Sequence, residues 1–437
     1  MKHLIQKIKK KEFVVGVIGL GYVGLPLIHT FHSNGMSVIG LDVDESKINN
    51  LNNGIPYIKH FGSEIMLELS TSPKAKFTTN FSYIPDCDAL ILCVPTPLSV
   101  HRDPDMKYVI DSTKAISKFL RKDQLVILES TTYPGTMDEL VIPILEESGL
   151  KVGEDFYVAY SPEREDPGNK DFNTASIPKV VGGYSIECLK LAIALYETSI
   201  NKLIPVSNTK TAEAVKITEN IFRAVNIALV NELKMVYSKM DIDVNEVLDA
   251  AASKPFGFMK FKPGPGIGGH CIPIDPFYLT WKAKEFEMNT RFIELAGEIN
   301  NSMPEYVIDK LQSALNNKGK ALSISRILIV GLAYKPNVDD YRESSTFKLF
   351  DLLTKHNAIY DYHDKFIPKI GITREYKEYA GMVSVDLNAD NIKNYDAVLI
   401  STNHKGIDYE LILKNAKLII DSRNCYQGLD QENLVRA

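Results

Sequence analysis

The stretch Val14-Val-Gly-Val-Ile-Gly-Leu-Gly-Tyr-Val-Gly24 decides the fold of the first part of this 437-residue chain. A β-branched apolar run enters a Gly-X-Gly-X-X-Gly pattern, and residues 25–34 then have the amphipathic spacing of a helix. The next apolar run, 38–41, has the length of a strand and ends at Asp42. A bare glycine pattern is weak evidence, but strand, glycine-rich turn, helix, strand and acid in this order are typical of a dinucleotide-binding unit.

The residues of this unit have separate predicted tasks. Gly19 makes the tight turn, Gly21 lets the backbone approach a pyrophosphate, and Gly24 lets the helix pack closely on the strand. The helix N-terminus offers unpaired N–H groups and a positive dipole end to the phosphates. Asp42 is placed to accept hydrogen bonds from the adenine ribose and to repel a 2′-phosphate, which favours NAD over NADP. The candidate cofactor-binding residues in this unit are Gly19, Gly21, Tyr22, Val23, Gly24, Asp42 and, on the ribose side, Lys47.

The composition predicts a globular protein of more than one domain, because 437 residues exceed what one core accommodates. The net charge is −5, so the composition does not indicate the basic surface with which proteins bind nucleic acid. The longest apolar runs are too short to span a membrane. Five cysteines do not resemble a disulfide framework. The basic start, residues 1–11, lacks the apolar region of a signal peptide and is interpreted as a solvated arm. A cytoplasmic location is expected.

Strand and helix patterns alternate as far as Pro205 and predict a doubly wound parallel α/β sheet. Its strand candidates are 14–18, 38–41, 89–94, 125–128, 157–160 and 179–182. From Thr209 to about Met240 there is no glycine or proline, and apolar residues recur at helical spacing. This predicts one helix of roughly 30 residues, about 45 Å long, buried between domains or in a dimer interface. Shorter helices are predicted at 244–252, 277–287 and 290–301.

A second α/β unit is predicted from about Ser325, with strands at 326–330, 397–400 and 418–420. Only one glycine of the dinucleotide pattern follows its first strand, so this half need not bind a dinucleotide. The predicted fold is therefore α/β, with two Rossmann-like doubly wound domains joined by a long central helix. We expect an NAD-binding domain at 1–205, a central helical and dimerisation region with the cysteine loop at 206–302, and a C-terminal domain at 303–437.

A second informative stretch is Pro263-Gly-Pro-Gly-Ile-Gly-Gly-His-Cys-Ile-Pro-Ile-Asp-Pro276, which is too rich in glycine and proline for a helix or central strand. It is a shaped loop that presents Cys271 with a carboxylate, Asp275, four residues later. Gly268 and Gly269 let the backbone approach a ligand closely. A thiol becomes a nucleophile where its pKa is lowered, although most cysteines are small buried apolar residues.

The glycine-rich turn, the long helix and the Cys271 loop together resemble the UDP-glucose/GDP-mannose dehydrogenase family over about residues 13–426. The stretches 160–168, 253–258 and 263–281 look most like its UDP-N-acetyl-D-glucosamine 6-dehydrogenase branch. The resemblance implies oxidation of the C6 alcohol of a UDP-sugar to a carboxylate, with two NAD molecules used in succession. It also implies that Cys271 holds the intermediate aldehyde as a thiohemiacetal, which becomes a thioester and is released by water.

The resemblance also implies roles for individual residues. Lys216 and Asn220 lie four apart on the long helix and so share a face. Lys216 would stabilise the negative charge that develops on the substrate oxygen, and Asn220 would hold the same oxygen or a water. Asp275 would act as a base or orient a water, and Glu163 would assist hydrolysis of the thioester. The implied substrate contacts are Arg164, Arg223, Lys254, Gly268 and, on the uridine-diphosphate side of the C-terminal domain, Tyr334 and Lys335; the implied further NAD contacts are Thr96, Thr131 and Arg342.

Several of these residues also have a second interpretation. Lys216 could be a solvated helix lysine, and Arg342 could form a surface ion pair with Glu343 or Asp339. Where UDP-glucose dehydrogenases commonly carry glutamate and serine, this chain has Pro167 and His270, which favours the N-acetyl-sugar branch. His270 could also act as a base or form a metal pair with Cys271, but no second Cys/His cluster lies near it in the sequence, so no metal site is predicted. Some family members use an arginine upstream of the cysteine that reaches across a dimer. The nearest basic residue here is Lys254, and the change from arginine to lysine weakens the case for assigning it that role.

Two other functions compete with a four-electron nucleotide-sugar dehydrogenase. A two-electron 3-hydroxyacid dehydrogenase would need neither Cys271 nor a second α/β domain. A non-catalytic nucleotide-sensing protein would not need the set formed by Lys216, Asn220, Cys271 and Asp275. The hexose is left open among N-acetylglucosamine, N-acetylmannosamine, N-acetylgalactosamine and glucose. The expected assembly is a homodimer or a higher homo-oligomer, and the expected structural cysteines are Cys87, Cys93, Cys188 and Cys425.

Overall fold

The computed structural model of the protein describes residues 1–58, 61–99, 103–164, 176–269, 272–373 and 375–437. The chain folds into two compact units. Unit 1 comprises residues 1–219 and 277–289, and unit 2 comprises residues 220–276 and 290–437.

Unit 1 contains an eight-stranded sheet in the order β3-β2-β1-β4-β5-β6-β7-β8. Its strands are β1 (Val14–Ile18), β2 (Ser37–Leu41), β3 (Ala75–Thr78), β4 (Ala89–Leu92), β5 (Leu125–Leu128), β6 (Tyr157–Tyr160), β7 (Lys179–Gly183) and β8 (Leu203–Val206). The chain begins at the centre and winds outward on both sides, which confirms the doubly wound prediction. The order reverses between β1 and β4, and ligands of such sheets bind at the carboxyl ends of the strands beside this reversal.

The sheet is parallel as predicted except at one pairing, where β7 runs antiparallel to β6. A strand buried on both faces is a continuous apolar run, which carries no mark of its direction. The edge strands β3 and β8 were not predicted, because their residues are mostly half-buried or exposed, β3 has no continuous apolar run and β8 contains Pro205, a residue that sheets confine mostly to their edges.

The described residues contain fourteen α-helices. They are α1 (Lys2–Lys9), α2 (Gly24–Ser33), α3 (Glu45–Asn52), α4 (Ser63–Thr71), α5 (Lys107–Ser117), α6 (Ile142–Glu146), α7 (Ile186–Tyr196), α8 (Thr209–Lys239), α9 (Val244–Ala252), α10 (Asp275–Ala283), α11 (Arg291–Asn317), α12 (Ser345–Lys355), α13 (Ala389–Lys393) and α14 (Tyr409–Asn415). Of these, α8 to α11 follow one another without an intervening strand. A π-helical turn, Met137–Val141, leads directly into α6. Within the described part of the chain, no helix combines the length and the apolar character needed to cross a membrane.

Three helix predictions can be compared with these bounds. The long helix is confirmed as α8, of which residues 209–219 belong to unit 1 and residues 220–239 to unit 2. The basic start is not a solvated arm: α1 buries Leu4 and Ile8 in the core of unit 1, because these two apolar residues share a face. Helix α11 does not end near residue 301 but continues through Pro304, since its buried face extends to Leu311 and Leu315. Packing of that face outweighs the helix-breaking tendency of one proline.

Unit 2 contains a five-stranded, wholly parallel sheet in the order β10-β9-β11-β12-β13. Its strands are β9 (Arg326–Val330), β10 (Ile359–His363), β11 (Ala397–Ile400), β12 (Ile419–Asp421) and β13 (Leu434–Arg436). The second predicted α/β unit is thus present, with β10 and β13 in addition to the three strands foreseen. The core of this sheet includes buried side chains of α11 and α12, among them Val307, Leu311 and Phe347.

Candidate active site

The turn after β1 has the geometry that a dinucleotide requires. Gly19 has a φ of 91°, and a Cβ there would lie 2.5 Å from the carbonyl oxygen of Cys93, so only glycine fits. A Cβ at Gly24 would lie 1.9 Å from the carbonyl oxygen of Gly19, which shows how closely α2 begins against the turn. A Cβ at Gly21 would meet no atom within 4 Å, so the backbone is open where a pyrophosphate is expected.

Asp42 follows β2 and lies beside this turn. Its carboxylate accepts hydrogen bonds from the backbone N–H of Leu20 at 2.8 Å and from the ammonium of Lys47 at 3.0 Å. The side chain is 6% exposed. A carboxylate has about four lone-pair sites, so Asp42 retains acceptor capacity for a ribose hydroxyl. Lys47 therefore lies at the predicted ribose side as the direct partner of Asp42.

Two neighbouring strand ends contribute further candidates. Thr96 follows β4 and Thr131 follows β5, and both are half-buried. The hydroxyl of Tyr278 donates to the carbonyl oxygen of Thr96 at 2.8 Å. Next to Thr131, the hydroxyl of the fully buried Thr132 has no hydrogen-bond partner among the described residues.

A buried hydroxyl without a partner costs free energy, so Thr132 is a ligand-contact candidate that sequence reasoning missed. The open space at Gly21, the acid at Asp42 and the unpaired Thr132 hydroxyl together fit a dinucleotide such as NAD. The sequence did carry one signal for Thr132, namely its position just after a predicted strand.

A cleft opens in unit 1 near the carboxyl ends of β5 and β6. It is lined by Val23, Leu27, Glu129, Pro162, Glu163, Arg164, Ile177, Pro178 and Lys179. Within it, the carboxylate of Glu129 pairs with the ammonium of Lys179 at 2.9 Å and accepts a hydrogen bond from the Tyr196 hydroxyl. This buried ion pair was not predicted, because only the folded sheet brings its distant partners together.

Lys216, on α8, is 6% exposed, so it is not the solvated helix lysine of the alternative interpretation. Its ammonium donates to the carbonyl oxygen of Glu163 at 2.6 Å and lies 3.8 Å from the Glu163 carboxylate. Unit 1 thus brings two of the predicted catalytic residues together. Arg164 is held by a bidentate pair with Glu219, with N–O distances of 2.6 and 3.3 Å.

Unit 2 brings together two other predicted catalytic residues. The side-chain amide of Asn220 donates to the carboxylate of Asp275 at 2.5 Å, and both side chains are buried. The predicted nucleophile Cys271, with His270, lies outside the described residues. The described part of the same loop is tied to α8, because the backbone N–H of Gly264 donates to the side-chain oxygen of Asn231 at 3.0 Å.

The close backbone approach predicted at Gly268 is made by the chain itself. A Cβ at Gly268 would lie 2.8 Å from the carbonyl oxygen of Glu343 and 3.0 Å from the Cβ of Tyr334. A Cβ at Gly269 would lie 3.0 Å from the Tyr334 ring, and its N–H donates to Glu343. The ammonium of Lys335 lies 5.8 Å from the centroid of the Tyr334 ring. The loop and the predicted uridine-side residues are therefore neighbours within unit 2.

The remaining basic candidates of unit 2 are exposed. Arg342 forms a bidentate pair with Asp340, at 2.9 and 2.7 Å, which is not the partner considered from the sequence. Lys254 lies with its ammonium 4.8 Å from the centroid of the Phe256 ring. Arg223 is exposed on α8.

Arg423 is a further basic residue that sequence reasoning missed. It follows β12, its Nε donates to the carbonyl oxygen of Ser401 at 2.6 Å, and a Cβ at Gly264 would lie 2.5 Å from its Nη1. Burial lowers the pKa of Arg423 to about 10. Its position two residues after a strand end was the available signal, since ligands gather at such edges.

Models of three successive protein domains match this chain. They are the NAD binding domain, central domain and UDP binding domain of the UDP-glucose/GDP-mannose dehydrogenase family, at residues 13–200, 210–302 and 328–428. The chain belongs to the UDP-glucose/GDP-mannose dehydrogenase family. The predicted membership is confirmed, and with it an NAD-binding nucleotide-sugar dehydrogenase that also has a UDP binding domain.

Relatives within the UDP-glucose/GDP-mannose dehydrogenase family are named for different sugars. A UDP-N-acetyl-D-glucosamine 6-dehydrogenase of Pseudomonas aeruginosa is 36% identical, over 90% of this chain and 91% of its own. A UDP-N-acetyl-D-mannosamine dehydrogenase of Pyrococcus horikoshii is 34% identical, over 94% and 95%. A solved structure described as UDP-D-ManNAc dehydrogenase from Pyrococcus horikoshii superposes with a TM-score of 0.87 at 31% identity, covering 97% and 99%. A two-electron 3-hydroxyacid dehydrogenase would not account for the central and UDP binding domains.

Proposed function

We propose that this enzyme carries out the four-electron oxidation of the C6 hydroxyl of a UDP-N-acetylhexosamine, UDP-N-acetylglucosamine first, to the uronic acid. The observation that carries the proposal is on helix α8. Lys216 is bound to Glu163 and, one turn later, Asn220 is bound to Asp275. Oxidation at C6 needs a cation to stabilise a developing negative charge and carboxylates to activate or orient water, and these two pairs contain both kinds of group. The chain also has the NAD binding and UDP binding domains of the family.

The first oxidation places negative charge on the C6 oxygen, which the Lys216 ammonium stabilises, and the role proposed for Asn220 is to hold the same oxygen or a water. Bound NAD supplies a hydride acceptor for each of the two oxidations. Cys271 adds to the aldehyde carbon, so that the reactive aldehyde is held as a thiohemiacetal while the cofactor is exchanged. The second oxidation converts this adduct to a thioester. A water oriented by Asp275 or activated by Glu163 then attacks the thioester, releases the uronic acid and returns the thiol.

The substrate side of the proposal extends to Arg164, Arg223, Lys254, Gly268, Tyr334 and Lys335, and the cofactor side to Arg342. Tyr334 and Lys335 follow β9, at the carboxyl edge of the sheet where a nucleotide binds in such folds. The two pairs on α8 also favour a catalytic role over nucleotide sensing. We place the protein in the cytoplasm, as a homodimer or higher homo-oligomer that serves surface polysaccharide biosynthesis.

The choice of sugar rests on Pro167 and His270, which favour the N-acetyl branch, and on the Pseudomonas aeruginosa relative. UDP-N-acetylmannosamine is the second candidate, because the Pyrococcus horikoshii relative covers as much of the chain. UDP-N-acetylgalactosamine and UDP-glucose remain outcomes of the same test.

The test counts NADH formed per sugar consumed, with UDP-N-acetylglucosamine and excess NAD. We expect two NADH per sugar for the native protein and loss of the complete oxidation in Cys271→Ala. Cys425→Ala is a matched control, since burial raises the pKa of Cys425 to about 12 and keeps that thiol protonated. One NADH per sugar in the native protein would overturn the four-electron mechanism. Two NADH with UDP-N-acetylmannosamine alone would change only the sugar.

A further inference from the structure

Glu213 is a fully buried carboxylate on α8, three residues before Lys216. One of its oxygens accepts the backbone N–H of Gly135 at 2.6 Å, and the other accepts that of Met137 at 2.9 Å. Gly135 lies in the turn between Thr131 and the helical segment 137–146, which follows β5, and Met137 is the first residue of that segment. The contact therefore ties α8 to the turn at the carboxyl end of β5.

The contact between Glu213 and this turn connects two segments that contain predicted functional residues. The turn begins with Thr131, a predicted NAD contact, and with Thr132, whose buried hydroxyl has no hydrogen-bond partner in the part of the chain that the structure describes. On α8, the next turn presents Lys216, which is bound to the backbone of Glu163. A carboxylate at the N-terminal end of a helical segment is also favoured by the helix dipole.

The charged groups around Glu213 come from three elements. Asp138 and Glu139 lie on the helical segment that Glu213 caps, and both raise its pKa. Lys210 on α8 pairs with Asp138 at 3.3 Å, and Lys282 on α10 pairs with Glu139 at 2.6 Å. Burial is the largest influence and raises the pKa of Glu213 to about 8, although the two N–H bonds lower it.

We propose that Glu213 is a positioning residue for the cofactor. By accepting both N–H groups, its carboxylate holds Thr131 and Thr132 in place for NAD and keeps this turn in register with Lys216. Protonation places an O–H on one of the two accepting oxygens, which removes an acceptor and loosens the turn. The inference rests on NAD binding and on the proposed Thr131 contact, but not on the identity of the sugar or on Cys271.

The test measures the dissociation constant of NAD by calorimetry at pH 9, where Glu213 is ionised, without any sugar, for the native protein and Glu213→Gln. Glutamine keeps the volume, but its amide nitrogen cannot accept a hydrogen bond, so one N–H loses its partner. Leaving such a group unpaired costs enough to weaken NAD binding by about 5- to 100-fold. In the native protein we expect the affinity to fall several-fold as the pH is lowered from 9 to 7, and this pH dependence to be absent in the variant.

Asp88→Asn is the matched control, because Asp88 is also a buried carboxylate of unit 1 that accepts a backbone N–H, from Val14, but it precedes β4 at the opposite edge of the sheet. An unchanged NAD affinity in folded Glu213→Gln, or an equal loss in Asp88→Asn, would overturn the proposal. If Glu213→Gln does not fold, Glu213→Asp replaces it, and a native NAD affinity that is constant from pH 7 to 9 would overturn it as well. Since no sugar is present, failure of the proposed sugar oxidation cannot be mistaken for failure of this inference.

Discussion

Lys234 shows, at the level of a single residue, how strongly burial can lower the pKa of a lysine side chain. It lies on the part of α8 that belongs to unit 2, is 7% exposed, and makes no ion pair among the described residues. Burial lowers the pKa of Lys234 to about 7, helped by Arg423 and Lys310, while Asp421 raises it. A lysine of this kind reduces the stability of the fold wherever it must carry its charge.

We predict that Lys234→Met stabilises the protein most at pH 7 and below. The folded pKa of about 7 lies below the unfolded value of about 10.4, so between them the unfolded state binds more protons and native stability rises with pH. The advantage of the variant, at most about 5 kcal/mol, should therefore shrink toward pH 10. Urea unfolding at pH 6, 7, 8.5 and 10 measures it. Lys239→Met, at an exposed position of the same helix, is the control, and a pH-independent difference in Lys234→Met would contradict the prediction.

At the level of secondary structure, the turns after β1 and β9 are each bound by an aspartate, but the two aspartates differ in the number of hydrogen bonds that they accept. Asp42 accepts the N–H of Leu20 after β1, and Asp364 accepts the N–H of Leu332 after β9. In the second turn, however, Asp364 also accepts the N–H of Ala333 and pairs with the buried ring of His404 at 3.0 Å. Asp364 further accepts the N–H groups of Phe366 and Ile367, so its acceptor sites are filled, whereas among the described residues Asp42 accepts only the N–H groups of Leu20 and Asp44 and the ammonium of Lys47. Asp42 therefore has acceptor capacity left for a ligand and Asp364 does not.

The two glycines of the first turn should separate folding from binding. Gly21→Ala adds a methyl group into open space, so we expect stability within about 1 kcal/mol of the native protein but markedly weaker NAD binding. Gly24→Ala places a methyl group against the carbonyl oxygen of Gly19, so we expect it to lower stability by about 1–3 kcal/mol or more. Thermal unfolding and NAD calorimetry of both variants measure this. Tight NAD binding by Gly21→Ala would contradict the predicted pyrophosphate position.

At the level of the whole molecule, two helices of unit 2 expose several large apolar side chains. They include Phe222, Leu229 and Val236 of α8 and Phe292 and Leu295 of α11, each between 47% and 78% exposed. The sequence predicts that α8 is buried between domains or in a dimer interface. Phe222, Leu229 and Val236 are seven residues apart and so share one face of α8. An exposed apolar face typically marks an interaction site, and a second copy of this chain is the partner that we propose.

We predict that the protein sediments as a dimer or larger assembly and that Leu229→Asp shifts it toward monomer. A buried unpaired charge at an interface opposes association, so the shift should be visible by analytical ultracentrifugation at micromolar concentration. Ile324→Asp, at another exposed apolar position of unit 2, should leave the assembly unchanged. A native protein that is monomeric under these conditions would contradict the proposal.

Much of the fold and part of the candidate site were predictable from the sequence, because the responsible signals are local. The glycine pattern at 19–24, the apolar strand runs and the long helical period of α8 each act within one element, so they could be recognised before any contact was known. The spacing of Lys216 and Asn220 on one helix face is of the same kind. The edge strands β3 and β8 and the continuation of α11 through Pro304 were missed, since neighbours rather than local pattern decide them.

The sequence by itself determined the family, the dinucleotide turn and the set of candidate catalytic residue types. Only the tertiary structure decided that β7 runs antiparallel, that Glu129 pairs with Lys179, and that Glu213 caps the turn after Thr131. The physical reason is that strand direction and side-chain partnership depend on contacts between residues far apart in the chain. A local pattern records which residues prefer burial or a turn, whereas the partner of a buried charge is set by what the fold places beside it.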